Sequence, residues 1–84
     1  MADRNRIKDT YVKLLAESIG KDTATVEANL GNNMHDALGV TSVELFPLLS
    51  GLEEAFDIEL DYAGFITDVQ TANEGIDYVL NTIG

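Results

Sequence analysis

The chain of 84 residues contains no cysteine. Disulfide staples and thiolate metal sites are therefore excluded, and any thiol chemistry has to come from an added group. It has one histidine, His35, and one proline, Pro47. No apolar run is long enough to cross a membrane, and no charged-then-apolar leader is visible, so a soluble, cytoplasmic protein is expected. The size fits one domain over residues 1–84, with a small core and a thin stability margin. Hydrophobic residues make up 45% of the chain, the share of a folded domain rather than a disordered tail.

Basic residues are missing from most of the chain. Arg4, Arg6, Lys8, Lys13 and Lys21 are the only five, and none follows Lys21. Of the 15 acids, Asp3, Asp9 and Glu17 lie in that first segment and twelve lie beyond it. The start thus carries +2 and the remainder −12 of the net −10. Such a field repels nucleic-acid phosphates and anionic membranes, and it steers in partners with basic patches. An acidic surface that serves solubility alone is the competing explanation.

The apolar pattern is helical throughout. Asp3 is placed to cap a first helix carrying Ile7, Tyr11, Leu14, Leu15 and Ile19, which stops at Gly20. Residues 21 to 40 read as a long connection. It holds one short helical turn starting near Asp22 or Thr23 and including Val26, and Leu30, Met34 and Leu38 pin it to the bundle. A second long helix is expected from about Thr41 to Phe56, with Leu45, Leu48, Leu49, Leu52 and Phe56 as its core stripe and Val43 and Phe46 off that stripe. Pro47 leaves two starts open. Either the helix begins at Thr41 with a bent first turn, or it begins near Phe46 with Pro47 in its opening turn. The capping-box spacing of Thr41 and Glu44 favours the early start. Leu60 to Asp68 reads as a linker with one short turn broken by Gly64. Thr71 and Glu74 then open a last helix with Ala72, Ile76, Val79 and Leu80 apolar, ending near Ile83. The expected fold is all-α: a small bundle of three to four helices with a long loop between the first and second long helices.

The chemistry concentrates in Asp36-Ala37-Leu38-Gly39-Val40-Thr41-Ser42-Val43-Glu44-Leu45 and continues through Leu52-Glu53-Glu54-Ala55-Phe56-Asp57-Ile58-Glu59-Leu60. A glycine turn places Ser42 at the mouth of a helix, where free amides and the positive end of the dipole suit an attached phosphodiester. This stretch resembles the acyl carrier protein family, whose signature is Leu-Gly-x-Asp-Ser-Leu followed by an acidic helix ending in Leu-Glu-Glu-x-Phe. Leu38-Gly39 match, Ser42 falls on the modified serine, Val43 replaces leucine, and the interval to Leu52-Glu53-Glu54-Ala55-Phe56 has no gap. Thr71 through Ile76-Asp77-Tyr78-Val79 resembles the family's final helix, so the likeness runs along essentially the whole chain.

The resemblance implies a non-enzymatic carrier. A phosphopantetheinyl transferase would attach 4′-phosphopantetheine from coenzyme A to the Ser42 hydroxyl. The arm's thiol would hold acyl or aminoacyl cargo as a thioester, as in fatty-acid or polyketide biosynthesis. Val43, Glu44, Phe46, Glu53 and Glu54 fall on the partner-recognition helix. They would meet loading, acyl-transferring and condensing enzymes that carry basic docking patches. No metal, nucleic-acid or membrane site is implied, and a monomer is expected. Three departures point to a specialised member: Thr41 stands where the family has aspartate, Pro47 where it has a partner-facing acid, and Ala55 where it has a third acid. A serine hydrolase would need a base beside Ser42, and His35 with its neighbour Asp36 is the sole candidate. Asn32, Asn33, His35 and Asp36 lack the calcium-loop pattern. The alternative from another class is an unmodified acidic helical module that binds other proteins.

Overall fold

The computed structural model describes residues 3–83; Met1, Ala2 and Gly84 lie outside the described residues. Among the described residues six helices follow in order: α1 (Arg4–Ile19), α2 (Thr23–Glu27), α3 (Met34–Leu38), α4 (Ser42–Phe56), α5 (Tyr62–Asp68) and α6 (Ala72–Ile83). The all-α bundle is as expected, with α1, α4 and α6 as its long members. Helix α1 packs against α4, α6 and α2, and α5 packs against α4.

Local chemistry explains the ends of α1. The Asp3 carboxylate accepts the Asn5 amide at 3.0 Å, satisfying one of the donors that a helix start leaves free. Gly20 ends the helix in the left-handed region with φ 69°, a conformation that costs glycine nothing. Between them Ile7, Tyr11, Val12, Leu15 and Ala16 are buried. Tyr11 is wholly enclosed. A Cβ on Gly75 would stand 2.2 Å from its hydroxyl oxygen, so glycine on α6 is what lets the hydroxyl end of this ring close on that helix. The hydroxyl donates only to the Met34 thioether, at 3.7 Å. Burial accordingly pushes the phenol well above the ordinary tyrosine range.

The connection between α1 and α4 differs from expectation. The turn capped by Asp22 forms as α2, but Met34 and Leu38 belong to a further short helix, α3, rather than to pinned loop. Asn33 explains it. Its side chain accepts the amides of both His35 and Asp36, an N-cap that starts a helix too short to show a periodic stripe. A single antiparallel bridge, Asn33 with Thr71, then ties this connection to the entry of α6. The Met34 amide donates to the Gln70 carbonyl at 2.8 Å, and the Asn73 amide to the Leu30 carbonyl at 3.0 Å.

Gly64 does not break α5, as the sequence suggested; it lies in the helix's first turn. Its amide donates to the Asp61 cap at 3.2 Å. A Cβ there would come within 2.8 Å of the other Asp61 oxygen and 3.0 Å of the Tyr78 hydroxyl. The residue is small because the cap and Tyr78 crowd it, and the helix continues past it.

Helix α4 starts early, immediately after Thr41, and Pro47 lies inside it. Leu45, Leu48, Leu49 and Leu52 are buried and Phe56 is half-buried, as the stripe predicts. Pro47 offers no amide to the Val43 carbonyl, and its ring crowds that group. At the next residue, the Ser18 hydroxyl of α1 donates to the Glu44 carbonyl at 2.6 Å, so α1 braces α4 where the proline weakens it. Because Pro47 is exposed and its ring packs no core, Pro47→Ala is expected to restore the missing bond and stabilise the fold by about 1–3 kcal/mol. Chemical denaturation followed by far-ultraviolet circular dichroism measures it; equal or lower stability in the variant would contradict a strained α4.

Candidate functional site

Ser42 reaches the surface through a short chain of constraints. Helix α3 ends at Gly39 with φ 70°. The Val40 amide turns back to the Met34 carbonyl at 3.2 Å, and Val40 is buried as an anchor. Thr41 is extended, with φ −108° and ψ 167°, and Ser42 is the first residue of α4. Its side chain is exposed, and among the described residues its hydroxyl makes no hydrogen bond. The amides of Ser42 and Val43 have no carbonyl to take within the helix, which leaves a positive dipole end facing outward.

Thr41 and Glu44 pair as a capping box. One Glu44 oxygen accepts both the Thr41 amide and the Thr41 hydroxyl, each at 3.1 Å, while the Glu44 amide donates to the Thr41 carbonyl at 3.1 Å. The capping box that the spacing suggested is present, and the Thr41 hydroxyl also donates to the Glu44 carboxylate. Glu44 is drawn back onto the helix start by these bonds.

Beside Ser42 lies an open cleft of about 390 Å³. Thr41, Ser42 and Leu45 form one side. Met34 and His35 come from α3, and Ile66, Val69 and Gln70 from α5 and the link to α6. The bridge between Asn33 and Thr71 brings these two sides together, and no pattern in the sequence marks it. Val69 is itself buried, and the three-residue step from Ile66 to Val69 was the one hint that the supposed linker had an apolar side. His35 does not pair with Asp36 as a hydrolase would need. Its Nδ1 lies 3.1 Å from the Val40 carbonyl, and since a carbonyl only accepts, that nitrogen carries the proton.

The residues assigned to a partner face are spread along α4. Val43 is 71% and Phe46 47% exposed, large values for apolar side chains. Phe46 stacks on Tyr62 of α5, with ring centres 5.9 Å apart. Glu54 is exposed. Glu53 is only half-exposed and has internal work. Its carboxylate accepts the Leu60 amide and the Tyr62 hydroxyl, each at 2.8 Å, closing the turn from α4 into α5. The bond from the Leu60 amide, then that from Tyr62, holds the Glu53 carboxyl below the usual range. The same contact raises the Tyr62 phenol. This structural role was not visible in the sequence, because its partners lie seven and nine residues away across a turn.

An acidic, all-helical bundle that presents an uncommitted serine at a helix entrance, beside a cleft, is the class of protein these features define. No protein-family model matches the chain, and no solved structure matches it. An acyl carrier protein of Cyanophora paradoxa is 30% identical over 81 residues, spanning 96% of this chain and 76% of that protein. The chain belongs to the acyl carrier protein family. Among the described residues no helix is long and apolar enough to cross a membrane.

Glu53 yields a test of the α4–α5 turn. A carboxylate with a lowered folded pKa contributes stability above its unfolded value, about 4.3 for glutamate. It loses that contribution as pH falls through the folded value. Glu53→Gln is therefore expected to be less stable than wild type at neutral pH, and the gap should narrow progressively below about pH 4.3. Thermal melts across pH 3 to 7 would show it; a gap independent of pH would mean that the charge on Glu53 contributes nothing.

Proposed function

We propose that the protein is a carrier, not a catalyst, in which Ser42 bears 4′-phosphopantetheine. The observation that carries this reading is the exposed Ser42 hydroxyl, free of internal hydrogen bonds at the entrance of α4, in a chain related to an acyl carrier protein. The residues present suit the group. The unpaired amides of the first turn favour a phosphodiester, and the cleft beside Ser42 offers an apolar wall formed by Val40, Leu45 and Ile66. In the loading step the Ser42 oxygen bonds to the pantetheine-side phosphorus of coenzyme A and the pyrophosphate bond to that phosphorus breaks. Adenosine 3′,5′-bisphosphate leaves, and the hydroxyl proton passes to a base of the phosphopantetheinyl transferase. When bound, the arm supplies a thiol for thioester chemistry, which a chain without cysteine lacks. The cargo is acyl or aminoacyl.

In this reading residues 1–84 form one carrier domain, a cytoplasmic monomer. It is a specialised member of the family because Thr41, Pro47 and Ala55 replace acids. Its partners are the transferase and the enzymes that load, transfer or condense the cargo. They meet Val43, Glu44, Phe46, Glu53 and Glu54 with basic and apolar side chains. The internal bonds of Glu53 make Glu54 the cleaner probe of this face.

Incubation with coenzyme A and a promiscuous transferase should add one phosphopantetheine to the intact mass, and Ser42→Ala should abolish the gain. No gain with several transferases would leave an unmodified interaction module. Glu54→Lys should slow modification several-fold at low salt, with the difference from wild type shrinking as salt screens the encounter. Equal rates for both proteins at every salt concentration would remove the acidic face from recognition.

A further inference from the structure

The charge layout around Ser42 raises a question that the carrier reading does not answer. A phosphodiester there would add an anion to a stretch that has twelve acids and no lysine or arginine after Lys21. Only one side chain beyond that point can become a cation near neutral pH, and it is His35. Of the side chains lining the cleft with Ser42, His35 is also the only titratable one.

One hydrogen bond orients its ring. Nδ1 donates to the carbonyl of Val40, two residues before Ser42. The buried Val40 and the turn at Gly39 hold that carbonyl in place. Nε2 is then the nitrogen left for another group, and His35 is exposed on the cleft rim. Protonation at Nε2 would turn an acceptor into a charged donor while keeping the Val40 bond, since Nδ1 already carries its hydrogen.

We infer that His35 is the phosphate-binding residue of the modified protein: its imidazolium Nε2–H pairs with the phosphodiester borne on Ser42 and holds the root of the arm against the cleft mouth. This rests on the carrier reading. The charged groups on the helices around the cleft are all acids: Asp36 on α3, Glu44, Glu53 and Glu54 on α4, Asp68 on α5, and Glu74 and Asp77 on α6. Four of these are engaged: Glu53 accepts from Leu60 and Tyr62, Asp77 pairs with Arg4, and the other two serve helix starts. Glu44 is bound to Thr41, and Glu74 accepts the amides of Gln70 and Thr71. No lysine or arginine lines the cleft, and the first-turn amides alone would leave the phosphate without a countercharge there.

The test compares the full chain before and after modification, with intact mass recording attachment. The His35 ring is titrated by proton–nitrogen NMR in both forms, and the phosphorus resonance is followed over the same pH range. The His35 midpoint should rise by about half a unit or more on modification. The rise should survive in about 1 M salt, where the screening length is about 3 Å. The phosphorus shift should titrate with the same midpoint, and His35→Gln should flatten it. A chain that gains no mass overturns the carrier reading and this inference with it. A modified chain whose His35 midpoint is unmoved, or moves only at low salt, overturns the pairing alone. Because the wild-type titration is decisive, the result does not depend on the variant folding.

Discussion

The site depends on one short piece of backbone pairing. The amide of Met34 reaches the carbonyl of Gln70, and the amide of Asn73 reaches the carbonyl of Leu30. These bonds fasten the long connection after α1 to the entry of α6. Without them α3 would be held by its buried Met34 and Leu38 alone, and the turn at Gly39 would be less firmly aimed. Helix α4 would still form from its own leucines, but Ser42 would open into solvent rather than beside a cleft. A few backbone bonds thus convert a generic bundle into one with a defined entrance, since the leucine stripe of α4 fixes which side is buried and not where the helix begins.

What the sequence made legible follows from this division. The long helices were readable because each buries a stripe over several turns and ends in a residue with a specific conformational or capping role: Asp3 and Gly20 around α1, Thr41 before α4, Thr71 before α6. Val43 and Phe46 were readable as exposed by the same periodicity. Helix α3 was not, because five residues carry no period and its cause is the Asn33 side chain taking two amides. The continuity of α5 through Gly64 was not, because glycine normally signals a break and here answers to crowding by Asp61 and Tyr78. The far wall of the cleft was invisible for a third reason: it is built by a bridge between residues 38 positions apart, Asn33 and Thr71. The position of Ser42 at the start of α4 was legible from its motif; its surroundings were not.

The scarcity of cations shapes the rest. Among the described residues there is one ion pair, Arg4 with Asp77, exposed on both sides and so of small effect. Carboxylates elsewhere turn to the chain's own amides and hydroxyls. Asp3 and Asp22 cap α1 and α2, Asp61 caps α5, Glu44 and Glu74 reach back to the starts of α4 and α6, and Glu53 closes the turn after α4. A count of acids from composition therefore overstates the charge free to greet a partner. The sequence reading grouped Glu53 with Glu54, yet only Glu54 is without an internal task.

The same scarcity decides how this chain can tolerate another anion. A chain richer in lysine would neutralise a new phosphate by moving a flexible side chain toward it. Under the proposed modification of Ser42, the groups at hand are the open amides of α4 and the imidazole bonded to Val40, since no lysine or arginine lines the cleft. Thr41 matters in the same sense, since an aspartate there would add a further negative charge beside Ser42, whereas threonine donates its hydroxyl to Glu44 and turns that carboxylate toward itself. The replacement of aspartate by threonine and the position of His35 on the cleft rim act in one direction. Both make the entrance of α4 less hostile to negative charge than the overall acidity of the protein would suggest.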